Sequence, residues 1–203
     1  RIAERGDGVI VEAGGREFRA RQLIACAGLQ ADRIARLGGI TPDFQIIPFR
    51  GEYYRLPPEK SAIAKTLIYP VPDPELPFLG IHLTRMIDGG MTVGPNAVLG
   101  FAREGYPKGS VDFDDVATYL AFPGFWKVIA ANFASGITEM KNSLFPAGYL
   151  EMCRKYCPSL ELSDLQPEAA GIRAQAVMRD GSIVHDFLVR ETARSVHVCN
   201  APS

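Results

Sequence analysis

Strand-forming segments sit at both ends of this chain, and segments of helical spacing sit between them. That order constrains the fold more than any single residue. Alternating βαβ units would build a parallel, doubly wound sheet, whereas strands, then helices, then strands give an α+β arrangement. The expected fold class is therefore α+β, with a mixed, largely antiparallel sheet and helices beside it. Residues Gly8 to Ala27 read as a β meander. Val9-Ile10-Val11 is a strand, Gly14-Gly15 a turn, Phe18 to Arg21 alternates weakly, and Leu23 to Ala27 is a short apolar run of the buried-strand type. Gly28 ends that run. Asp32 is placed to cap a short helix, Arg33 to Leu37, which Gly38-Gly39 terminates.

Thr41 to Gly100 is rich in proline and strand formers. Ile46 to Leu56 reads as a strand with an irregularity at Pro48, Leu67 to Val71 as another, and residues 72–77 as a proline-spaced loop. Phe78 to Thr84 and Met91 to Val93 suit a hairpin turned by Asp88-Gly89-Gly90, with Gly94-Pro95-Asn96 breaking its second strand. The character changes at Asp112. Phe113, Val116, Tyr119 and Leu120 have helical spacing, and Phe125, Val128, Ile129 and Phe133 resume it after a break at Pro123-Gly124. Met140 to Tyr156 suggests another helix, interrupted at Pro146 and ended before Pro158. The aromatic stripe is read as core. The tail returns to strands at Ile172 to Val177, Ile183 to Val189 and Val196 to Cys199, with Asp180-Gly181 turning the first pair.

Composition narrows the function classes. The chain has 203 residues, 47% hydrophobic and 22% charged, with a formal net charge of −1, which is ordinary globular composition. No basic stripe points to nucleic acid. No apolar run approaches a membrane span. Cys153 and Cys157 stand one helical turn apart, but no further ligands lie close by for zinc, so no metal site is expected. Reduced, mostly buried thiols fit a cytoplasmic protein.

One arginine stands out. Ala169-Ala170-Gly171-Ile172-Arg173-Ala174-Gln175-Ala176 delivers Arg173 from a small, apolar run. A sheltered guanidinium needs an anionic partner, and its flat fork suits a carboxylate at two points. That partner is either an internal Asp or Glu or the acid group of a ligand.

Several motifs resemble a known family. Leu23-Ile24-Ala25-Cys26-Ala27-Gly28 is similar to the strand-then-Ala-Gly signature of two-dinucleotide-fold flavoproteins. Gly94-Pro95-Asn96 and the Gly-x-Arg of residues 171–173 resemble marks of the D-amino-acid oxidase and glycerol-3-phosphate dehydrogenase superfamily. Pro48-Phe49-Arg50-Gly51-Glu52-Tyr53-Tyr54, His82-Leu83-Thr84-Arg85, Met140-Lys141-Asn142-Ser143, Gly171-Ile172-Arg173-Ala174-Gln175 and Cys199-Asn200-Ala201-Pro202-Ser203 together are similar to the L-2-hydroxyglutarate oxidase/dehydrogenase family. The resemblance covers essentially the whole chain. It implies that residues 1–40 are part of a Rossmann-like FAD-binding domain, 41–192 a substrate-binding domain, and 193–203 the start of the return. The family's Gly-x-Gly-x-x-Gly loop, which sets the FAD pyrophosphate on a helix N-terminus, would lie before Arg1. The chain then reads as the middle of an enzyme that binds FAD weakly or not at all by itself.

The implied reaction takes a 2-hydroxy dicarboxylate to a 2-oxo dicarboxylate, with FAD as cofactor. Arg173 is the candidate for one substrate carboxylate, with Gln175 beside it on the strand. Arg50, Arg85 and Lys141 are candidates for the second. His82 is the candidate base, since an imidazole titrates near pH 6.5. Tyr53 and Tyr54 would face opposite ways, one to substrate and one to core. Ala27, Gly28, Asn200 and Ala201 are the candidate cofactor contacts. Each of these residues also has an ordinary structural reading as a surface charge, core group or turn. The electron acceptor is oxygen or a quinone, and a quinone would imply peripheral contact with the inner membrane. The alternatives are a related FAD-dependent amino-acid or glycerol-3-phosphate oxidoreductase, and a non-catalytic module that binds a ligand or partner.

Overall fold

The computed structural model of the chain describes residues 1–71 and 80–201. The proline-spaced loop, the start of the expected strand at residue 78, and Pro202-Ser203 lie outside them. Strands β1 (Ile2–Arg5), β2 (Gly8–Ala13) and β3 (Arg16–Ala20) form an antiparallel meander. Gly14 and Gly15, at φ 57° and 72°, make its two-residue turn, a geometry that needs positive φ at both positions. The apolar run continues as β4 (Leu23–Ala25) but leaves the meander, contrary to expectation. Its partner is a late strand, described below, because Leu23 donates its N–H to the Arg194 carbonyl. Nor is the run buried on both faces, for Ile24 is 71% exposed.

Helix α1 (Ala31–Leu37) follows a 3₁₀ turn at Gly28–Gln30. Asp32 is not its cap. It lies inside the first turn, 2% exposed, and its carboxylate serves tertiary contacts instead. Strand β5 (Phe44–Gly51) runs straight through Pro48. Then come β6 (Tyr54–Arg55), β7 (His82–Arg85), β8 (Met91–Gly94) and β9 (Val98–Leu99). The hairpin of β7 and β8 turns through Asp88-Gly89-Gly90 as expected. The strand expected at Leu67 to Val71 contracts to a single bridge, Ile68 to Leu83.

Four longer helices follow. Asp112 caps α2 (Phe113–Leu120) by accepting the Asp115 N–H at 2.9 Å. Prolines open α3 (Pro123–Ala131) and α5 (Pro146–Arg154), where a missing N–H costs nothing. Between them, α4 (Phe133–Leu144) begins earlier than the expected Met140. The chain closes with β10 (Gln166–Pro167), β11 (Gly171–Met178), β12 (Leu188–Glu191) and β13 (Ser195–Asn200). The strand expected from Ile183 starts only at Leu188, and Ile183 keeps one bridge to Val177.

The strand orders are β10-β6-β8-β7, β11-β5-β9 and β12-β13-β4, with β13 and β4 parallel. One core joins β6, β7 and β8 to α5 through Tyr54, Leu83, Val93 and Tyr149. The two faces of the β5–β11 pair bury separate cores. Ile46 and Ala176 pack against Ala35 of α1 and Cys199 of β13. Ile47 and Val177 pack against Tyr119, Phe125 and Val128 of α2 and α3.

A buried ion cluster ties these layers together. Arg103, 1% exposed, donates through Nη2 to Asp32 Oδ2 at 2.8 Å and through Nη1 to the Leu29 carbonyl at 2.7 Å. The Ile46 N–H adds 3.1 Å to Asp32 Oδ2. Asp115 takes the Arg103 N–H at 2.7 Å and Arg33 Nη2 at 2.5 Å. Removing one member of such a pair strands a buried charge, which costs about 3–5 kcal/mol. Arg103→Leu is therefore expected to lower the unfolding free energy by that amount, read from the shift of a guanidinium chloride midpoint. A loss below about 1 kcal/mol, the range of exposed pairs, would show that the cluster does not hold the layers.

Candidate active site

A cavity of about 840 Å³ opens between β11 and the carboxyl ends of the parallel strands β4 and β13. Ligands of open parallel sheets bind outside those carboxyl ends. The cavity collects residues from distant parts of the chain. Arg173 and Gln175 come from β11, Tyr53 from the link between β5 and β6, and His82 from the start of β7. Gly28, Asn200 and Ala201 line its other side. Gly28 has φ 50°, and a Cβ there would meet nothing within 4 Å. The positive φ, rather than crowding, calls for glycine at that turn.

The other candidates lie elsewhere. Ala27 packs with Ala31 and Ala35 in the core under α1. Arg50 is 9% exposed and donates to Glu52 at 2.5 Å, one strand alternation away. Burial pushes the Glu52 carboxyl up, but hydrogen bonds from Asn96 and Ser143 and the charges of Arg50 and Lys108 bring it below the usual range. Arg50 thus serves a structural carboxylate. Arg85 ends β7 exposed and does not line the cavity; three positions on from His82, it falls on the opposite face of the strand. Lys141 is exposed on α4 beside the buried Asn142 and Ser143. Of the two tyrosines, Tyr53 lines the cavity, while Tyr54 is core and its ring lies 4.7 Å from that of Tyr149.

Gln175 has a second task. Its Nε2 donates to the Val184 carbonyl at 2.9 Å and to the Ala176 carbonyl at 3.2 Å. Asn200 Nδ2 donates to the carbonyls of Asp186 at 2.8 Å and Val184 at 3.3 Å. Two side-chain amides from two strands therefore pin the 184–186 loop, and Val184 and His185 of that loop line the cavity. Sequence reasoning missed His185, and also Tyr69, whose ring stacks on His82 at 4.5 Å and 25°. The Ile68–Leu83 bridge is what brings Tyr69 opposite His82. No local pattern marks either residue.

The surroundings of His82 favour one tautomer and the neutral ring. Its Nδ1 lies 3.3 Å from the Gly80 carbonyl, an oxygen that only accepts, so Nδ1 carries the hydrogen and Nε2 the lone pair. Burial is the main cause that pulls the imidazole below its ordinary 6.5; the positive charge of Arg173 adds to it, and the Gly80 contact opposes it. The neutral ring is thereby favoured at neutral pH. The cavity can accept a proton, grip an anion and orient a hydroxyl.

The sequence model of the FAD dependent oxidoreductase family, DAO, matches residues 1–203. The chain is 54% identical to the L-2-hydroxyglutarate dehydrogenase of Escherichia coli strain K12, over all of this chain and 48% of that protein. It is 44% identical to the mitochondrial L-2-hydroxyglutarate dehydrogenase of Homo sapiens, over 96% of this chain and 43% of that one. The chain spans about half the length of these curated relatives. Among solved structures, the dithionite-reduced L-alpha-glycerophosphate oxidase of Mycoplasma pneumoniae, with FAD bound, shares the fold. The TM-score is 0.63 at 19% identity, over 97% of this chain and 43% of that chain.

The electrostatics of His82 can be checked directly. Its imidazole is expected to titrate below 6.5 by proton NMR. Arg173→Gln removes a repelling charge and should raise that value while leaving it below 6.5, because burial remains. A value unchanged by the substitution would place Arg173 outside electrostatic reach of the ring.

Proposed function

Because the chain belongs to the DAO family of FAD dependent oxidoreductases, we propose that the whole protein oxidises L-2-hydroxyglutarate to 2-oxoglutarate. The observation that carries this reading is the convergence of Arg173, His82 and Tyr53 on one cavity at the carboxyl ends of β4 and β13. The names of the relatives supply the substrate.

The residues present fit the flavin edge of such a site. Gly28, Asn200 and Ala201 give a bare, open wall at the strand ends, with no bulky side chain filling it. These residues would hold the cofactor. When bound, FAD supplies the acceptor for a hydride from the substrate Cα. Arg173 grips the carboxylate next to the reacting carbon and fixes its rotation. His82 takes the hydroxyl proton on Nε2. Tyr53 donates a hydrogen bond to the substrate. Gln175 acts mainly by holding the 184–186 loop in place.

Turnover then requires an electron acceptor, oxygen or a quinone. A quinone would draw the protein to a membrane surface; among the described residues no helix is long and apolar enough to cross one.

The test is anaerobic flavin reduction of the full-length protein by L-2-hydroxyglutarate. Bleaching of the flavin absorbance is expected, and a colourless or unreduced protein would overturn the reading. Arg173→Ala should cost about 2–5 kcal/mol in kcat/KM. His82→Gln should slow flavin reduction more than it weakens substrate binding.

A further inference from the structure

We infer that His185 is the partner of the substrate's distal carboxylate and so sets the preference for dicarboxylates over monocarboxylates. This rests on the 2-hydroxy acid reading given above. A dicarboxylate brings two negative charges into a sheltered cavity, and each needs its own hydrogen-bond donors. Among the described residues that line the cavity, only Arg173, His82 and His185 can carry positive charge. Residues 72–79 and 202–203 contain no Arg, Lys or His. Arg50, Arg85 and Lys141 lie away from the cavity.

Two of the three basic groups belong to the reacting end. Arg173 and His82 line the same cavity, and the Arg173 charge reaches the His82 ring, as a clamp and base on adjacent atoms of one substrate require. His185 reaches the cavity from a different element, the loop between β11 and β12. That loop is held as a binding group requires. Val184 donates its N–H to the Ala176 carbonyl at 3.0 Å, and the amides of Gln175 and Asn200 hold the carbonyls on either side of His185. The neighbouring acid, Asp186, is turned to the Phe187 N–H at 2.7 Å. The imidazole is thus carried on a fixed backbone at the cavity wall, with its ring exposed to an incoming anion.

The experiment uses the full-length, flavin-loaded protein without oxygen. L-2-hydroxyglutarate is compared with L-2-hydroxyvalerate, which has the same chain length and a methyl group in place of the distal carboxylate. Wild-type protein is expected to be reduced at far lower concentrations of the dicarboxylate. In His185→Ala the half-saturating concentration of the dicarboxylate should rise about 10- to 100-fold, the scale of one hydrogen bond to a charged group. The limiting reduction rate and the response to the monocarboxylate should stay unchanged. His185→Lys should restore the preference. A separate readout independent of turnover is the imidazole NMR signal of His185, which should shift on titration with glutarate and not with valerate. If His185→Ala keeps the wild-type preference, or the signal does not move, the inference falls. If wild-type protein is reduced by neither acid, the functional reading falls with it.

Discussion

Arg103 reaches three segments at once from a position with 1% exposure. It binds Asp32 of α1, the Leu29 carbonyl in the turn before α1, and, through its own N–H, Asp115 of α2. Asp32 in turn takes the Ile46 N–H of β5. The consequence for the cavity is direct. Gly28 lines it, and Leu29 is the next residue, so the guanidinium fixes the height of that wall against the sheet. On the opposite side, the Glu52 carboxylate gathers Arg50, Asn96 and Ser143 and fixes the chain just before Tyr53. Two buried charge clusters therefore hold the two walls, and neither cluster enters the cavity. Charge pairing rather than complete hydrogen bonding holds the first cluster, for Arg103 Nε is buried without a hydrogen-bond partner, 3.7 Å from Asp115 Oδ1.

The order of elements was legible because local periodicity and punctuation determine it. Glycine turns, proline helix starts and the Asp112 cap all act within a few residues of themselves. Partners in space were not legible. Pro48 shows why. Its carbonyl accepts the Gly100 N–H at 2.8 Å, so a residue with an N–H there would return a bond to the Gly100 carbonyl. Proline cannot do so, and the buried hydroxyl of Tyr119 fills that acceptor at 2.9 Å instead. The irregularity read from the sequence is thus absorbed by a residue on a helix far along the chain. The same limit explains β4, which local pattern assigned to the meander and which a late strand captured through parallel pairing.

The site was legible in part, and for a similar reason. Arg173 stood out because a charged fork in a run of small residues is chemically odd wherever it lies. His82 and Tyr53 stood out through strand alternation. Arg50 looked like a ligand-binding cation by the same logic, yet Glu52, two residues on, faces the same way and claims it. Pairing between alternate residues of a strand can be read from sequence, and it was the available signal against Arg50. His185 and Tyr69 carry no such mark. The first is placed by amide hydrogen bonds from β11 and β13, the second by one bridge to β7.

Under the proposed chemistry, the pairing of Arg173 with His82 has a built-in order. In the empty cavity the guanidinium repels a proton from the ring and helps keep His82 neutral. A substrate carboxylate that docks on Arg173 cancels much of that field. The repulsion then fades just as the hydroxyl comes within reach of Nε2, so the base strengthens when it is needed. Burial acts the other way and limits the rise, because an imidazolium in a dry cavity is costly. The ring contact with Tyr69 offsets part of that cost, since the face of a phenol ring attracts a cation. One guanidinium therefore does two jobs that would conflict if they were simultaneous: it guards the neutral base before substrate arrives and anchors the substrate afterwards.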